Sequence, residues 1–236
     1  MGDLALIGES GKEMALDIIL GLRFHFDLFA NVRPVRLLPG VSSILKGCDE
    51  DRRVEYTLIR ENSEGLYSSH FGGLVFRDEI AIDNQIISRE GSRRISQYAF
   101  ELARRSNGSP LDSKKSVTCV DKSNVLKSFA FFRKVFREVA GEFPDVEPRY
   151  MYGDAMAQYM LFHPQNLSVI VTENMIGDIL SDLGAATDTI PFKQHYLHDR
   201  RCLCALLSFL IISSAVTLFL KIFTRWMQFT IQILPH

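Results

Sequence analysis

Asp178 and Asp182 stand four residues apart in Gly177-Asp178-Ile179-Leu180-Ser181-Asp182. On a helix that spacing puts both carboxylates on one face, where like charges repel. A hard divalent cation removes the repulsion and takes oxygen ligands readily. The plainer reading of such a pair is a solvated acidic face. Val120-Asp121-Lys122-Ser123-Asn124 follows a short apolar run. Strand ends in α/β sheets are where ligands sit, and a lysine held there beside a metal can act as a base; otherwise it is a surface lysine in a loop. Arg60-Glu61-Asn62-Ser63-Glu64-Gly65-Leu66-Tyr67 follows another run of strand character. Arginine binds carboxylates in bidentate fashion. Tyr67 is a candidate proton donor, although most tyrosines are packing residues with a wet hydroxyl. Arg23, Arg33 and Arg36 add further cations. Several arginines, two carboxylates and a lysine point to an anionic substrate held beside a metal.

Other motifs are poorer. Gly8-Glu9-Ser10-Gly11-Lys12 glances at a phosphate loop, but its glycine spacing is wrong and Glu13 stands where a hydroxyl would hold magnesium. His195, His198, Cys202 and Cys204 have zinc-ligand residue types without a matched second pair. Asn166-Leu167-Ser168 is a glycosylation triplet, yet the first 30 residues lack the layout of a secretory signal.

The elements that must position these residues alternate in type. Apolar residues at Met14, Ile18, Leu22, Phe26 and Phe29 have helical period. Val32 to Leu38 is extended, since Pro34 disfavours helix at Arg33. A strand is expected over Val54 to Arg60, an extended hairpin arm over Leu74 to Ile87, and an amphipathic helix over Ser92 to Arg105. Then come a strand over Val117 to Val120, a helix over Val125 to Phe143 stopped by Pro144, a short helix over Ala155 to Phe162, a strand over Val169 to Thr172 and a helix over Met175 to Ala186. Strands alternating with helices imply an α/β fold with a parallel or mixed parallel/antiparallel sheet and flanking helices.

Composition sets the outer bounds. The chain has 236 residues, 47% of them apolar and 23% charged, with a net charge of −1. That suits one ordinary core and excludes collagen, coiled coil and general disorder. No broad basic face is available for nucleic acid. Cys48, Cys119, Cys202 and Cys204 are too scattered for a disulfide framework and form no CxxC, which implies reduced thiols in a cytoplasmic chain, or a mitochondrial one. Residues 201 to 236 contain no Asp or Glu, and Cys202 to Leu220 is a charge-free run of bilayer-spanning length. The tail reads as translated intron sequence, a membrane anchor or a buried core helix. Any membrane contact rests on residues 202–220 alone.

Four strings carry a resemblance. Leu28-Phe29-Ala30-Asn31-Val32-Arg33-Pro34-Val35-Arg36, Arg60 to Tyr67, Val120-Asp121-Lys122-Ser123-Asn124-Val125-Leu126 and Thr172-Glu173-Asn174-Met175-Ile176 with Gly177 to Asp182 resemble, in order and spacing, the isocitrate/isopropylmalate dehydrogenases. These are metal-dependent, β-decarboxylating 2-hydroxy-acid dehydrogenases, and the similarity runs from about Met14 to about Ala186. It implies that Arg23, Arg33 and Arg60 clamp the carboxylates of a malate-like acid. Tyr67 would protonate the enolate left by loss of CO2. Lys122, paired with Asp154 from a neighbouring subunit, would help remove the hydroxyl proton. Asp154, Asp178 and Asp182 would hold Mg2+ or Mn2+, Glu173 and Asn174 would lie near NAD or NADP, and the chain would act as a homodimer clasped through the arm. Arg33 to Val41 is most similar to the tartrate/D-malate branch, and Asp121 to Leu126 to the 3-isopropylmalate branch.

Family strings of the GDGIGPE and HGSAPDIAG types have no counterpart here. The expected organisation is therefore a remnant of a cofactor domain over 1–30, a substrate and dimerisation domain over 31–188, and an apolar tail over 189–236 foreign to the family. The alternatives to a working dehydrogenase are a truncated inactive member and a membrane-attached binding or regulatory subunit of a full-length paralogue.

Overall fold

The computed structural model describes residues 23, 25–37, 45, 54–68 and 73–187 and the backbone of 69–71 and 195–197. The chain separates into two units, Met1–Tyr196 and Leu197–His236. The phosphate-loop-like string, the 202–220 run and the zinc-like His/Cys group, apart from the backbone of His195, lie outside the described residues.

β1 (Ala30–Arg36) pairs antiparallel with β2 (Glu55–Glu61). β7 (Val169–Thr172) runs parallel to β2, β5 (Ser116–Asp121) parallel to β7, and β6 (Glu147–Tyr152) parallel to β5. With the short β8 (His195–Leu197) beside β1, the order is β6-β5-β7-β2-β1-β8. The mixed sheet with flanking helices is the expected architecture. Every residue of β5 and of β7 is buried, as strands covered on both faces must be. β6 was not foreseen. Its sequence Glu-Pro-Arg-Tyr-Met-Tyr shows no apolar run because it is an outer strand with no residue fully buried, and Pro148 is tolerated only in such a place.

Among the described residues, four longer α-helices cover the sheet. α1 (Arg89–Arg105) starts three residues earlier than its apolar pattern suggests, because Ser88 caps it: the Gly91 N–H donates to Ser88 Oγ at 2.9 Å. α2 (Lys127–Ala140) is shorter at both ends than expected. The Val125 and Leu126 N–H groups fold back onto the Lys122 carbonyl, and the Phe143 N–H closes a tight turn on Ala140. Phe143 then stacks on Phe100 of α1, ring centroids 5.2 Å apart. α3 (Gly153–Phe162) and α4 (Asn174–Thr187) supply Met156, Met160 and Leu180 to a core shared with Val35, Tyr56, Leu58, Val120 and Ile170. The helix expected over 14–29 is described only near its end. Asp27, at φ 45°, stops it, the Leu28 N–H reaches back to the Arg23 carbonyl at 2.9 Å, and Phe29 already leads into β1.

The arm is a separate antiparallel hairpin, β3 (Leu74–Phe76) with β4 (Ile80–Ile82), apolar and exposed throughout. Its root is pinned near the site. Gly65 and Ile86 exchange backbone hydrogen bonds, and Glu64 accepts from the Ser88 N–H at 2.8 Å and from Ser88 Oγ.

Candidate active site

Strand alternation decides which side chains meet. β1 and β2 place Asn31 opposite Arg60 and Arg33 opposite Leu58, so these residues share the face that carries Tyr56 and Leu58, the face covered by α4. In the parallel part, Arg60 lies beside Thr172 and Val120 beside Thr172. α4 begins two residues after β7, which brings its first two turns over the buried ends of β1 and β2.

There Asp178 is the meeting point. Arg60 Nη1 donates to its Oδ1, and the Tyr67 hydroxyl donates to its Oδ2 at 3.0 Å. Arg33 Nη2 lies 3.7 Å from Asp178 Oδ1, while Arg33 Nη1 lies 3.5 Å from Asp182 Oδ1 and donates to Ser181 Oγ. Arg33 and Arg60 are 4% and 3% exposed, so both charges must be paired. The Arg60 guanidinium also sits 5.4 Å from the Tyr67 ring centroid. Burial, and then the neighbouring Asp178 charge, raise the Tyr67 hydroxyl above its ordinary pKa. The phenol therefore keeps its proton at neutral pH.

Lys122 and Asp154 form a second cluster, Nζ to Oδ1 at 2.8 Å. They follow β5 and β6, adjacent parallel strands whose last residues, Asp121 and Tyr152, lie side by side. The pairing expected across a subunit boundary is therefore made within one chain. Lys122's hydrogen bond holds the Asp154 carboxyl below the ordinary carboxylate range. Among the described residues, no hydrogen bond or ion pair joins this cluster to the one around Asp178.

The isocitrate/isopropylmalate dehydrogenase family model matches residues 6–189. The chain belongs to this family. It is 43% identical over 181 residues to 3-isopropylmalate dehydrogenase of Methanothermobacter thermautotrophicus, covering 76% of this chain and 50% of that protein. It is 40% identical over 187 residues to 3-isopropylmalate/3-methylmalate dehydrogenase of Methanocaldococcus jannaschii, covering 78% and 53%. Among solved structures, isocitrate dehydrogenase of Methylococcus capsulatus matches with a TM-score of 0.59 and 37% identity, over 68% of this chain and 45% of that one. The TT0538 protein of Thermus thermophilus matches with a TM-score of 0.63 and 36% identity, over 72% and 32%. The chain spans about half the length of the curated relatives it matches.

Other family-motif residues have structural duties. Glu173 and Asn174 are each 2% exposed. The Glu173 carboxylate accepts the Met175 and Ile176 N–H groups and so caps α4. Asn174 accepts from Arg60 Nε at 2.8 Å and donates to the Glu64 carbonyl at 2.8 Å, tying the site arginine to the arm root. Arg23 is buried in the helix that precedes β1, and Arg36 is exposed, 3.9 Å from Glu55. Ser181 and Asn31 escaped the sequence reading, although Ser181 lies one turn after Asp178 and its hydroxyl donates to the Asp178 carbonyl. Asn166, of the glycosylation triplet, donates to the Tyr159 hydroxyl at 3.0 Å. Cys119 is a buried free thiol.

Asp178 and Asp182 offer hard oxygen donors on successive turns, and Arg33 reaches both, so the carboxylates converge. They fit Mg2+ or Mn2+ as part of a ligand set. Among the described residues no three His, Cys, Asp or Glu side chains gather in one metal-binding group.

A Cβ at Gly177 would stand 2.7 Å from Arg60 Cγ and 2.8 Å from Arg60 Cβ. Gly177→Ala must displace the Arg60 stem, and is expected to cost about 1–3 kcal/mol in urea denaturation. Burial raises the carboxyls of Glu61 and Glu173. The folded chain thus holds those protons more tightly than the unfolded chain. Their contribution is most favourable below the unfolded carboxylate pKa and is lost as pH rises through the raised folded values. Relative to the parent chain, Glu61→Gln should gain stability as pH rises above about 4, measured by denaturation across pH. A constant difference would reject this linkage.

Proposed function

We propose that this chain carries the substrate and dimer domain, over residues 31–188, of a homodimeric NAD(P)-dependent dehydrogenase. The reaction oxidises a malate-like 2-hydroxy acid and releases CO2. The observation that carries the reading is the convergence of Arg33, Arg60 and Tyr67 on Asp178, one helical turn before Asp182.

Each cluster in the chain is half of what the reaction needs. Lys122 and Asp154 of the partner subunit would meet Arg33, Arg60, Tyr67, Asp178 and Asp182 of the first. The exposed hairpin supports association: Leu74, Val75, Phe76, Ile80 and Ile82 are each about half exposed or more. So do Phe162 and Ile179, 71% and 62% exposed on α3 and α4. Monomers rarely leave so much apolar surface in water.

Arg33 and Arg60, with Arg23, hold the substrate carboxylates through paired charge-assisted hydrogen bonds. Lys122, kept in place by Asp154, would help remove the proton of the C2 hydroxyl. The Tyr67 hydroxyl would deliver a proton to the enolate carbon after CO2 leaves. Mg2+ or Mn2+, held by Asp178, Asp182 and Asp154 of the partner subunit, would supply positive charge where the enolate develops. NAD or NADP would accept the hydride; Glu173 and Asn174 support this site through α4 and Arg60.

Relatives named 3-isopropylmalate dehydrogenase favour 3-isopropylmalate over tartrate or D-malate as substrate. The test is NADH or NADPH formation from each acid, and from isocitrate, with Mn2+ present. The expected result is fastest turnover of 3-isopropylmalate. Faster turnover of tartrate or D-malate would move the substrate to the other branch, and no turnover of any of these acids by a dimeric, Mn2+-supplied chain that binds NAD or NADP would sink the reading.

A further inference from the structure

Lys122 and Asp154 face one side of the sheet, and what fixes them lies on the other. Asp121 precedes Lys122 and points to the opposite face, where it is fully buried. Tyr152 precedes Asp154 by two residues and lies beside Asp121 in the β5–β6 register. α2 covers that face and contributes Arg133. Its Nε donates to Asp121 Oδ2 at 2.6 Å and its Nη2 to Asp121 Oδ1 at 2.9 Å. The same guanidinium stands 5.0 Å from the Tyr152 ring centroid and 5.6 Å from that of Tyr150. The Lys122 ammonium lies 6.0 Å from the Tyr152 ring.

One side chain therefore grips the ends of both strands that present the pair. Asp121 Oδ1 also accepts the Ser123 N–H at 2.8 Å, and the Lys122 carbonyl accepts from Val125 and Leu126, both at 3.0 Å. The turn carrying Lys122 is thus held from its buried carboxylate and from its own carbonyl. Asp154 has weaker local support: it is 70% exposed at the first turn of a helix whose N-cap makes no side-chain hydrogen bond. Tyr152 is that N-cap residue.

We propose that Arg133 is a positioning residue that braces the Lys122–Asp154 pair from the far face of the sheet, through Asp121 on one strand and Tyr152 on the next. The fork matters as well as the charge, because lysine cannot make two parallel bonds to one carboxylate while lying over an aromatic ring. The proposal rests on the role given to Lys122 and Asp154 in the proposed reaction, but its test does not need turnover.

Zero-length carbodiimide coupling reads the pair directly, since an amine and a carboxylate in contact become an amide that mass spectrometry locates. Lys114 and Asp112, 3.3 Å apart in a distant loop, provide an internal reference link. In the full chain, the Lys122–Asp154 link is expected to form at least as readily as the reference. Arg133→Met should lower that ratio at least about fivefold, because ångström-scale misplacement has large effects on a reaction between neighbours. Arg133→Lys should restore part of it. Arg133→Met leaves Asp121 buried and unpaired, so the Asp121→Asn/Arg133→Met double variant, which removes both charges, guards against simple unfolding. An unchanged ratio in the folded double variant overturns the brace alone. A parent chain that yields the reference link but no Lys122–Asp154 link overturns the pair itself, and with it the proposed half-site.

Discussion

Mixing Lys122→Met chains with Tyr67→Phe chains should restore about a quarter of the parent rate, although each variant alone is expected to lose roughly 10²- to 10⁴-fold. The reason is the division of labour within one chain. Tyr67 meets Asp178, whereas Lys122 meets Asp154, and the two clusters are not joined among the described residues. If a site takes one cluster from each subunit, a mixed dimer contains one site with both lesions and one with neither. Random pairing makes half the dimers mixed, and half of their sites are intact. The measurement is activity after the chains are unfolded together and refolded at equal ratio, against each variant refolded alone. No gain on mixing would mean that every site is built from a single chain, and the shared-site arrangement would fail.

Asp178→Asn should abolish measurable Mn2+ binding in the presence of 3-isopropylmalate. Loss of an outer-shell partner typically costs roughly 10- to 100-fold in metal affinity, and loss of a charged ligand should cost more. In the protein alone, the Asp178 carboxylate serves Arg60, Tyr67 and Arg33 together. The substitution therefore also weakens a buried charged hydrogen bond, worth about 1–3 kcal/mol. Denaturation should show that modest loss while the metal titration shows a far larger one. Asp182, with an 81% exposed side chain and only a 3.5 Å approach to Arg33, provides the contrast. Asp182→Asn should weaken Mn2+ with little effect on stability. An unchanged Mn2+ titration for Asp178→Asn would remove it from the ligand set.

Much of the fold was legible because its strongest signals are local. β7 and α1 are read from an apolar run and from an amphipathic period, and both patterns exist because sheet and helix bury one face against another. The arm was legible from partial alternation. β6 was not, because an outer strand need not alternate and its pattern is dominated by Pro148 and charge. Helix ends were also misjudged. Ser88 adds a turn at the start of α1, and Asp27 ends the preceding helix, through capping bonds and a backbone turn that periodicity does not register.

The residue types of the site were written in the sequence: Arg60 and Tyr67 after one run, Lys122 after another, and Asp178 and Asp182 at helical spacing. Types and spacing determine which groups are available and which face of an element each can occupy. Only the tertiary structure decided the pairings. Arg60 lies 118 residues from Asp178, and Lys122 lies 32 from Asp154. Contacts of that range follow from strand order and register, and a one-residue slip would turn each side chain to the other face. The same constraint hid Arg133. Its grip on Asp121 and Tyr152 exists only because β5 and β6 lie in register beneath α2.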